Sequence, residues 1–221
     1  AAYQTLDMLT KRAPGQAEYW EQKGIVVAQL AVTAAQTEVE NNVDPTSDTD
    51  AKTSGTSTAS ANTLAALTDN LIQEAVATLN AATEVNPVHL NIWKSRARGY
   101  IWLGTIDQKY LWEAIVSLLE AQKLAPTDPK VTYNLALLYD SVKEDDKAEE
   151  YYQQSLALRS VYEQARKSYA EFLTRTGRYA EALEQYRYID EVLKPDEPLF
   201  TEEIAALEAS VSAERSEGEG R

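Results

Sequence analysis

A spacing of 34 residues constrains this chain more than any other feature in it. Ala136 and Ala148 lie 12 residues apart, Ala170 and Ala182 lie 12 apart, and Ala136 and Ala170 lie 34 apart. Other small and aromatic residues keep step. One copy carries Leu135, Tyr139, Tyr152 and Ser155, and the next carries Tyr169, Leu173, Gly177, Tyr186 and Ile189. A fixed period of this size predicts helix–turn–helix units. Each is too thin to bury its apolar face alone and therefore stacks on its neighbours. Alanine at the marked positions lets paired helices approach to the short end of the usual spacing of about 8–10 Å.

Two earlier copies fit once insertions are allowed. Trp93, Ala97 and Tyr100 mark the first helix of one, and Ala114, Leu118, Ala121 and Pro126 its second. Trp20, Gly24 and Val27 mark the first helix of the other, and Ala75, Leu79, Ala82 and Pro87 its second. Tyr3 to Pro14 reads as a lone second helix, and residues 199–214 as a terminal helix. Pro14, Pro87 and Pro126 end second helices, since proline cannot donate to the helical ladder. Ser160 and Lys194 stand where that proline is expected, and Lys143 stands where a turn glycine is expected.

These residues resemble the tetratricopeptide repeat (TPR), with its first helix of Trp-x2-Leu-Gly-x2-Tyr type and second helix of Ala-x3-Phe-x2-Ala type. The resemblance implies an all-α fold: a right-handed TPR superhelix, or α-solenoid, of antiparallel helix pairs. It predicts one array over residues 1–215, built from a partial repeat at 3–14, repeats at 17–87, 90–126, 129–160 and 163–194, and the terminal helix. A disordered tail is expected at 216–221. The pattern enters in mid-repeat and does not start with Met, so the sequence reads as a segment of a larger protein.

The first full repeat holds a long insertion. Gly24 to Ala75 is 51 residues where an unbroken repeat has 12. Residues 29–40 are good helix formers and extend the first helix, and residues 64–74 start the second helix early. Between them runs a Ser/Thr/Asp/Gly-rich stretch that cannot bury enough surface to offset its ordering entropy. A projecting helical hairpin with a flexible loop at about 42–62 is expected. A shorter insertion separates Ala97 from Ala114 and brings Tyr110 and Trp112 near Trp102. These rings read either as a local minicore or as an exposed patch that grips a partner.

Composition narrows the function. The chain has no cysteine, so disulfides and thiolate chemistry are excluded, and its one histidine, His89, excludes a His-rich metal site. No apolar run reaches membrane-spanning length. A net charge of −14 opposes approach to phosphate, so nucleic acid is not an expected partner. There is no Ser-His-Asp set, glycine-rich phosphate loop or metal-ligand cluster. The pair Asp145-Asp146 sits in a repeat turn, where acids start a helix as an N-cap. No enzyme activity, catalytic residue, cofactor or metal is expected.

The family resemblance implies that first helices line a concave groove which takes an extended peptide or a partner helix. Its groove positions fall on Asn91, Lys94, Arg98 and Trp102. They continue on Lys130, Tyr133, Asn134, Leu137 and Ser141, and then on Gln164, Lys167, Ser168, Glu171 and Arg175. Residues 90–103 hold Lys94, Arg96 and Arg98 and no acid, whereas acids outnumber bases over 179–193. A basic inner face on an acidic molecule would attract an acidic or C-terminal carboxylate segment. The terminal-carboxylate clamp of some TPR domains is not assembled on the first full repeat, where Glu21 and Ile25 occupy its positions. A shifted version would use Lys94, Asn134 and Lys167, with Arg98 and Ser168 as departures from the pattern.

The expected function is therefore a protein–protein interaction module that binds a peptide or partner protein. Two other readings remain. The stretch from Lys123 to Tyr139 is similar to the C-terminal TPR segments of bacterial O-antigen ligase-like proteins, which implies a regulatory or docking domain of a membrane glycan polymerase or ligase. An uncapped array could also self-associate, with Tyr3, Leu6 and Leu9 as its exposed edge. Compartment is not legible in the sequence.

Overall fold

In the computed structural model of the chain, residues 1–42 and 54–219 are described, and among them every regular element is helical. The chain divides into two compact units, Ala1–Pro126 and Thr127–Arg221. The first contains α1 (Ala2–Arg12), α2 (Ala17–Asn42), α3 (Ser54–Val85), α4 (Leu90–Gly104) and α5 (Lys109–Leu124). The second contains α6 (Pro129–Ser141), α7 (Asp145–Leu158), α8 (Glu163–Arg175), α9 (Tyr179–Arg187) and α10 (Thr201–Glu219). A π-helical turn, Tyr188–Leu193, continues α9.

Within each unit the helices pair as the alanine spacing requires. α2 packs on α3 and α4 on α5 in the first unit, and α6 on α7 and α8 on α9 in the second. Ala75, Ala97, Ala114, Ala136, Ala148, Ala170 and Ala182 are all buried at these contacts. The prolines punctuate from just outside. α1, α3 and α5 end at Arg12, Val85 and Leu124, each two residues before Pro14, Pro87 and Pro126. Lys143 adopts φ 63° and Gly177, one repeat later, φ 79°, so the turn keeps its left-handed residue although lysine replaces glycine.

The first unit has an unusual close contact. Leu79 of α3 lies between Gly24 of α2 and Gly99 of α4. A Cβ added at Gly24 would stand 2.7 Å from Leu79 Cδ2, and one at Gly99 would stand 2.6 Å from Leu79 Cδ1. Gly24 was legible as a contact position. Gly99 was not, because Ala97 already filled that role in the repeat register.

The long insertion is a hairpin of two extended helices. At about 1.5 Å per residue α2 and α3 run roughly 39 and 48 Å. Past Val32 no described side chain of α2 is buried. The loop expected at 42–62 falls partly on residues 43–53, which lie outside the described residues. α3 is already helical at Ser54, ten residues before the expected start at 64. Elongating a formed helix is easier than nucleating one, which lets poor formers join it. The same cooperativity applies at the far end. α10 continues to Glu219, through part of the expected tail, and residues 220–221 lie outside the described residues.

Buried charge ties α1 to the α2–α3 pair. Lys23 of α2 bonds Asp7 Oδ1 at 2.7 Å and Glu74 Oε1 at 2.9 Å, with its own side chain only 8% exposed. Tyr3 donates to Glu74 at 2.9 Å, and Leu6 is buried. Hydrogen bonds from Lys11 and Lys23 pull the Asp7 carboxyl down to about 2. Burial alone would lower the Lys23 pKa, but hydrogen bonds to Asp7 and Glu74 outweigh it and the pKa stands above the ordinary lysine value. The edge expected to be exposed through Tyr3, Leu6 and Leu9 is thus largely engaged within the chain.

Candidate functional site

Repeat positions place one face of each first helix toward solvent. On α6, Lys130 is exposed, and Tyr133, Asn134 and Leu137 are half-buried; on α8, Gln164, Lys167, Glu171 and Arg175 are exposed. The two helices meet through a hydrogen bond of 2.9 Å between Tyr133 Oη and Ser168 Oγ. About two turns further on, Arg175 donates to Asp140 Oδ1 at 2.8 Å and to Asp145 Oδ1 at 2.6 Å. Lys167 stands 3.7 Å from Glu171 Oε1.

Between these two links the second unit opens a recess of about 260 Å³. Leu137 and Asp140 come from α6, Tyr152 from α7, and Glu171, Phe172 and Arg175 from α8. Tyr152 is fully buried at its inner side and packs on Tyr169 and Phe172, with ring centroids 5.4 and 5.6 Å away. Its hydroxyl has no hydrogen-bond partner among the described residues. Burial chiefly, and then Asp140, Tyr133 and Glu171, raise its pKa above the ordinary tyrosine value against the pull of Arg175. The phenol is therefore neutral at pH 7 and able to donate.

The first unit presents α2 and α4 differently. Ser95 Oγ donates to Glu21 Oε1 at 2.5 Å, and Arg98 reaches Ser95 Oγ at 3.4 Å. Asn91, Arg98 and Trp102 are exposed, and Lys94 is half-buried. Arg96 does not belong to this face. It bonds Asn80 Oδ1, Ser117 Oγ and Glu113, and lies over the Trp93 and Tyr100 rings. The basic stripe expected on residues 90–103 therefore loses its middle member to the packing of α3, α4 and α5.

No family model matches the chain, and no curated protein matches it in sequence. Solved structures do match. TTC0263, described as a thermophilic TPR protein of Thermus thermophilus, is 19% identical, covers 93% of this chain and 88% of its own, and gives a TM-score of 0.54. MamA from Desulfovibrio magneticus RS-1, residues 41 to end, is 17% identical with coverages of 88% and 85% and a TM-score of 0.58. Cut9, from an APC/C hetero-tetramer with Hcn1, is 16% identical. It covers 95% of this chain and 32% of its own, with a TM-score of 0.53. The fold is that of the tetratricopeptide repeat.

Within that TPR fold the expected groove residues are only partly brought together. Tyr133, Leu137, Ser168, Glu171 and Arg175 converge around the α6–α8 face. Lys94, the third member of the shifted carboxylate clamp, belongs to the other compact unit. Arg175 and Lys167, expected as groove cations, each have an acid beside them. Asp145 is not an N-cap. It lies in the first turn of α7, whose N-cap Glu144 makes no side-chain cap bond, and Arg175 engages its carboxylate. Trp102 and Trp112 are 37% and 45% exposed, whereas Tyr110 is half-buried and stacks on Tyr100 at 6.2 Å, so one of the three rings is packed and two lie at the surface.

Two features of the TPR packing were not read from sequence. Trp20 Nε1 donates to the Pro14 carbonyl at 2.8 Å, and Trp93 Nε1 to the Pro87 carbonyl at 2.7 Å. Arg166 Nε makes the corresponding bond to Ser160 O at 2.8 Å, where the repeat lacks both tryptophan and proline. The common six-residue offset was visible in the sequence and would have revealed it. Tyr152 keeps the repeat spacing, and nothing in that spacing signals an orphaned hydroxyl. Among the described residues no His, Cys, Asp and Glu cluster could hold a metal ion, and no helix is long and apolar enough to cross a membrane.

Proposed function

We propose that this chain is a protein-interaction scaffold, without chemistry of its own, that binds a peptide or partner segment on the α6–α8 face of its second unit. The observation that carries this reading is the recess between α6 and α8, lined by apolar Leu137 and Phe172 together with hydrogen-bonding groups. Such a mixture suits a segment with side chains of both kinds. The cations there have acids beside them, so the acidic-ligand preference expected from charge counting is weakened on this face. Asn91, Lys94, Arg98 and Trp102 of α4 form a second, separate candidate face on the first unit.

The test is selection of peptides from a random display library on the intact 221-residue chain. Binders should lose at least about tenfold in affinity with Leu137→Arg or Glu171→Arg and keep it with Gln154→Arg, an exposed position on second helix α7. Binders indifferent to both α6 and α8 substitutions would overturn the assignment.

A further inference from the structure

The hairpin of α2 and α3 closes along a seam of small residues. Ala28 and Ala31 on α2 and Thr68 and Ala75 on α3 are buried there, at spacings that keep each set on one face of its helix. So thin a seam leaves larger side chains to the flanks. On the flank that holds α1, Lys23 of α2 bonds Glu74 of α3 at 2.9 Å and Asp7 of α1 at 2.7 Å. α2 and α3 run in opposite directions. A step of about two turns toward the hairpin tip therefore leads from Lys23 to Leu30 on one and from Glu74 to Leu67 on the other. Leu30 is 42% exposed and Leu67 49%. They stand opposite each other on the flank where α1 packs lower down, and Ala34, Leu64 and Leu71 on the same flank are half-buried.

We infer that this flank of the hairpin is a docking groove for a partner helix, amphipathic and basic, whose leucine-sized side chains insert between Leu30 and Leu67. α1 shows the kind of element that fits. It lies on the same flank nearer the base as a helix, with Leu6 and Thr10 buried and Tyr3 reaching Glu74. The groove continues that interface outward. Beyond Leu30, α2 runs on for about 18 Å to Asn42, room for a helix of roughly 12 residues. An extended segment would bring unpaired amides against two helices that offer no sheet edge, whereas a helix satisfies its own. Charge selects the partner. From Gly24 onward the described residues of α2 and α3 carry Glu38, Glu40, Asp69, Glu74 and Glu84 and no lysine or arginine. A second copy would set these acids against themselves, whereas lysines or arginines beside an apolar stripe meet opposite charge. The groove lies in the first compact unit and is independent of the α6–α8 face of the second.

The probe is a blocked, fluorophore-labelled peptide of about 14 residues of Leu, Ala and Lys, with leucines at i, i+3, i+7 and i+10 and lysines on the opposite face. It is titrated against the full chain by fluorescence anisotropy beside two controls, one with every Leu replaced by Ser and one with every Lys replaced by Glu. Both controls should bind at least tenfold more weakly. Leu30→Lys and Leu67→Lys, at exposed positions, should each weaken the Leu/Lys peptide at least fivefold with an unchanged helical spectrum. Val39→Lys adds the same charge on the opposite side of α2 and should change binding less than twofold. Leu137→Arg, on the α6–α8 face, should leave it unchanged. Equal binding of the serine peptide, or an equal loss with Val39→Lys, reduces the interaction to net charge and overturns the groove. Equal binding of the glutamate peptide overturns the basic partner. A peptide released by Leu137→Arg and retained by Leu30→Lys sits on the α6–α8 face, which overturns the groove and leaves that face standing. A chain that sediments as a dimer and turns monomeric with Leu67→Lys gives the flank to a second copy, against the proposal. Absence of saturable binding by the Leu/Lys peptide overturns it outright.

Discussion

At the scale of single residues, three positions depart from what their neighbours dictate. Lys143 holds φ 63° in the turn between α6 and α7. A left-handed backbone costs an L-residue about 1 kcal/mol that glycine does not incur. Its ion pair with Asp140, at 3.9 Å, is long and exposed. Lys143→Gly should therefore raise the unfolding free energy by roughly 0.5–1 kcal/mol, read as a higher urea midpoint with unchanged slope. Gly99 is the opposite case. Alanine there improves helix propensity by about 1 kcal/mol but pushes into the fully buried Leu79 side chain, where overpacking costs about 1–3 kcal/mol. Gly99→Ala should be net destabilising by about 1 kcal/mol, and Leu79→Val in the same chain should recover part of it; a stabilised single variant would show that α3 and α4 are not held at this contact. Tyr152→Phe removes a hydroxyl that has no partner among the described residues. Its stability should be unchanged or up to about 1 kcal/mol higher, the reverse of the usual result for a buried tyrosine.

At the scale of elements, two connections depend on acids, one buried and one half-buried. Asp190, in the π-helical turn, accepts from Leu199 N at 2.9 Å and from the buried Phe200 N at 3.0 Å, and so sets the start of α10. Asp190→Ala leaves both amides without that carboxylate and should cost about 2–3 kcal/mol, with α10 becoming the first segment cut in limited proteolysis. α1 is held by Asp7. The folded-state pKa of about 2 lies below the unfolded value of about 3.9. Its contribution is therefore present in full above about pH 4 and fades as the pH falls toward about 2. Asp7→Asn should flatten stability against pH in that acid window, followed through Trp20 fluorescence; an unchanged acid limb would exclude Asp7 as its source. The pairing of the helices was legible, because the alanine spacing and the prolines act locally, whereas the early start of α3 and the π-helical turn were not. What holds α1 and α10 in place was not. Lys23 and Asp190 sit at positions where charge is usually solvated, and only the neighbours brought in from 16 and 10 residues away reveal their roles.

At the scale of the whole chain, 35 acids against 21 bases set a self-repulsion that no local pair cancels. Exposed ion pairs such as Arg187–Glu208 contribute little and weaken with salt, whereas screening relieves the net repulsion. Raising sodium chloride from about 10 mM, where the screening length is about 30 Å, to about 150 mM, where it is about 8 Å, should thus raise the melting temperature. A falling temperature would mean that the ion pairs outweigh the net charge. The all-α fold of paired helices followed from sequence, but the surroundings of individual bases did not follow from charge counting. Arg96, Lys167 and Arg175 look alike among the bases, yet Arg96 is folded into the α3–α5 packing and the other two lie beside acids. One consequence reaches beyond stability. The bonds from Trp20, Trp93 and Arg166 to carbonyls six residues upstream each pin the chain's exit from one helix to its entry into the next. They steer direction and leave helix spacing to the alanines. Swapping a pinning side chain would thus disturb both the aim of one layer and the packing beside it, since Trp20 also rests on Ala17, Ala82 and Ile92 and Arg166 on the Tyr188 ring.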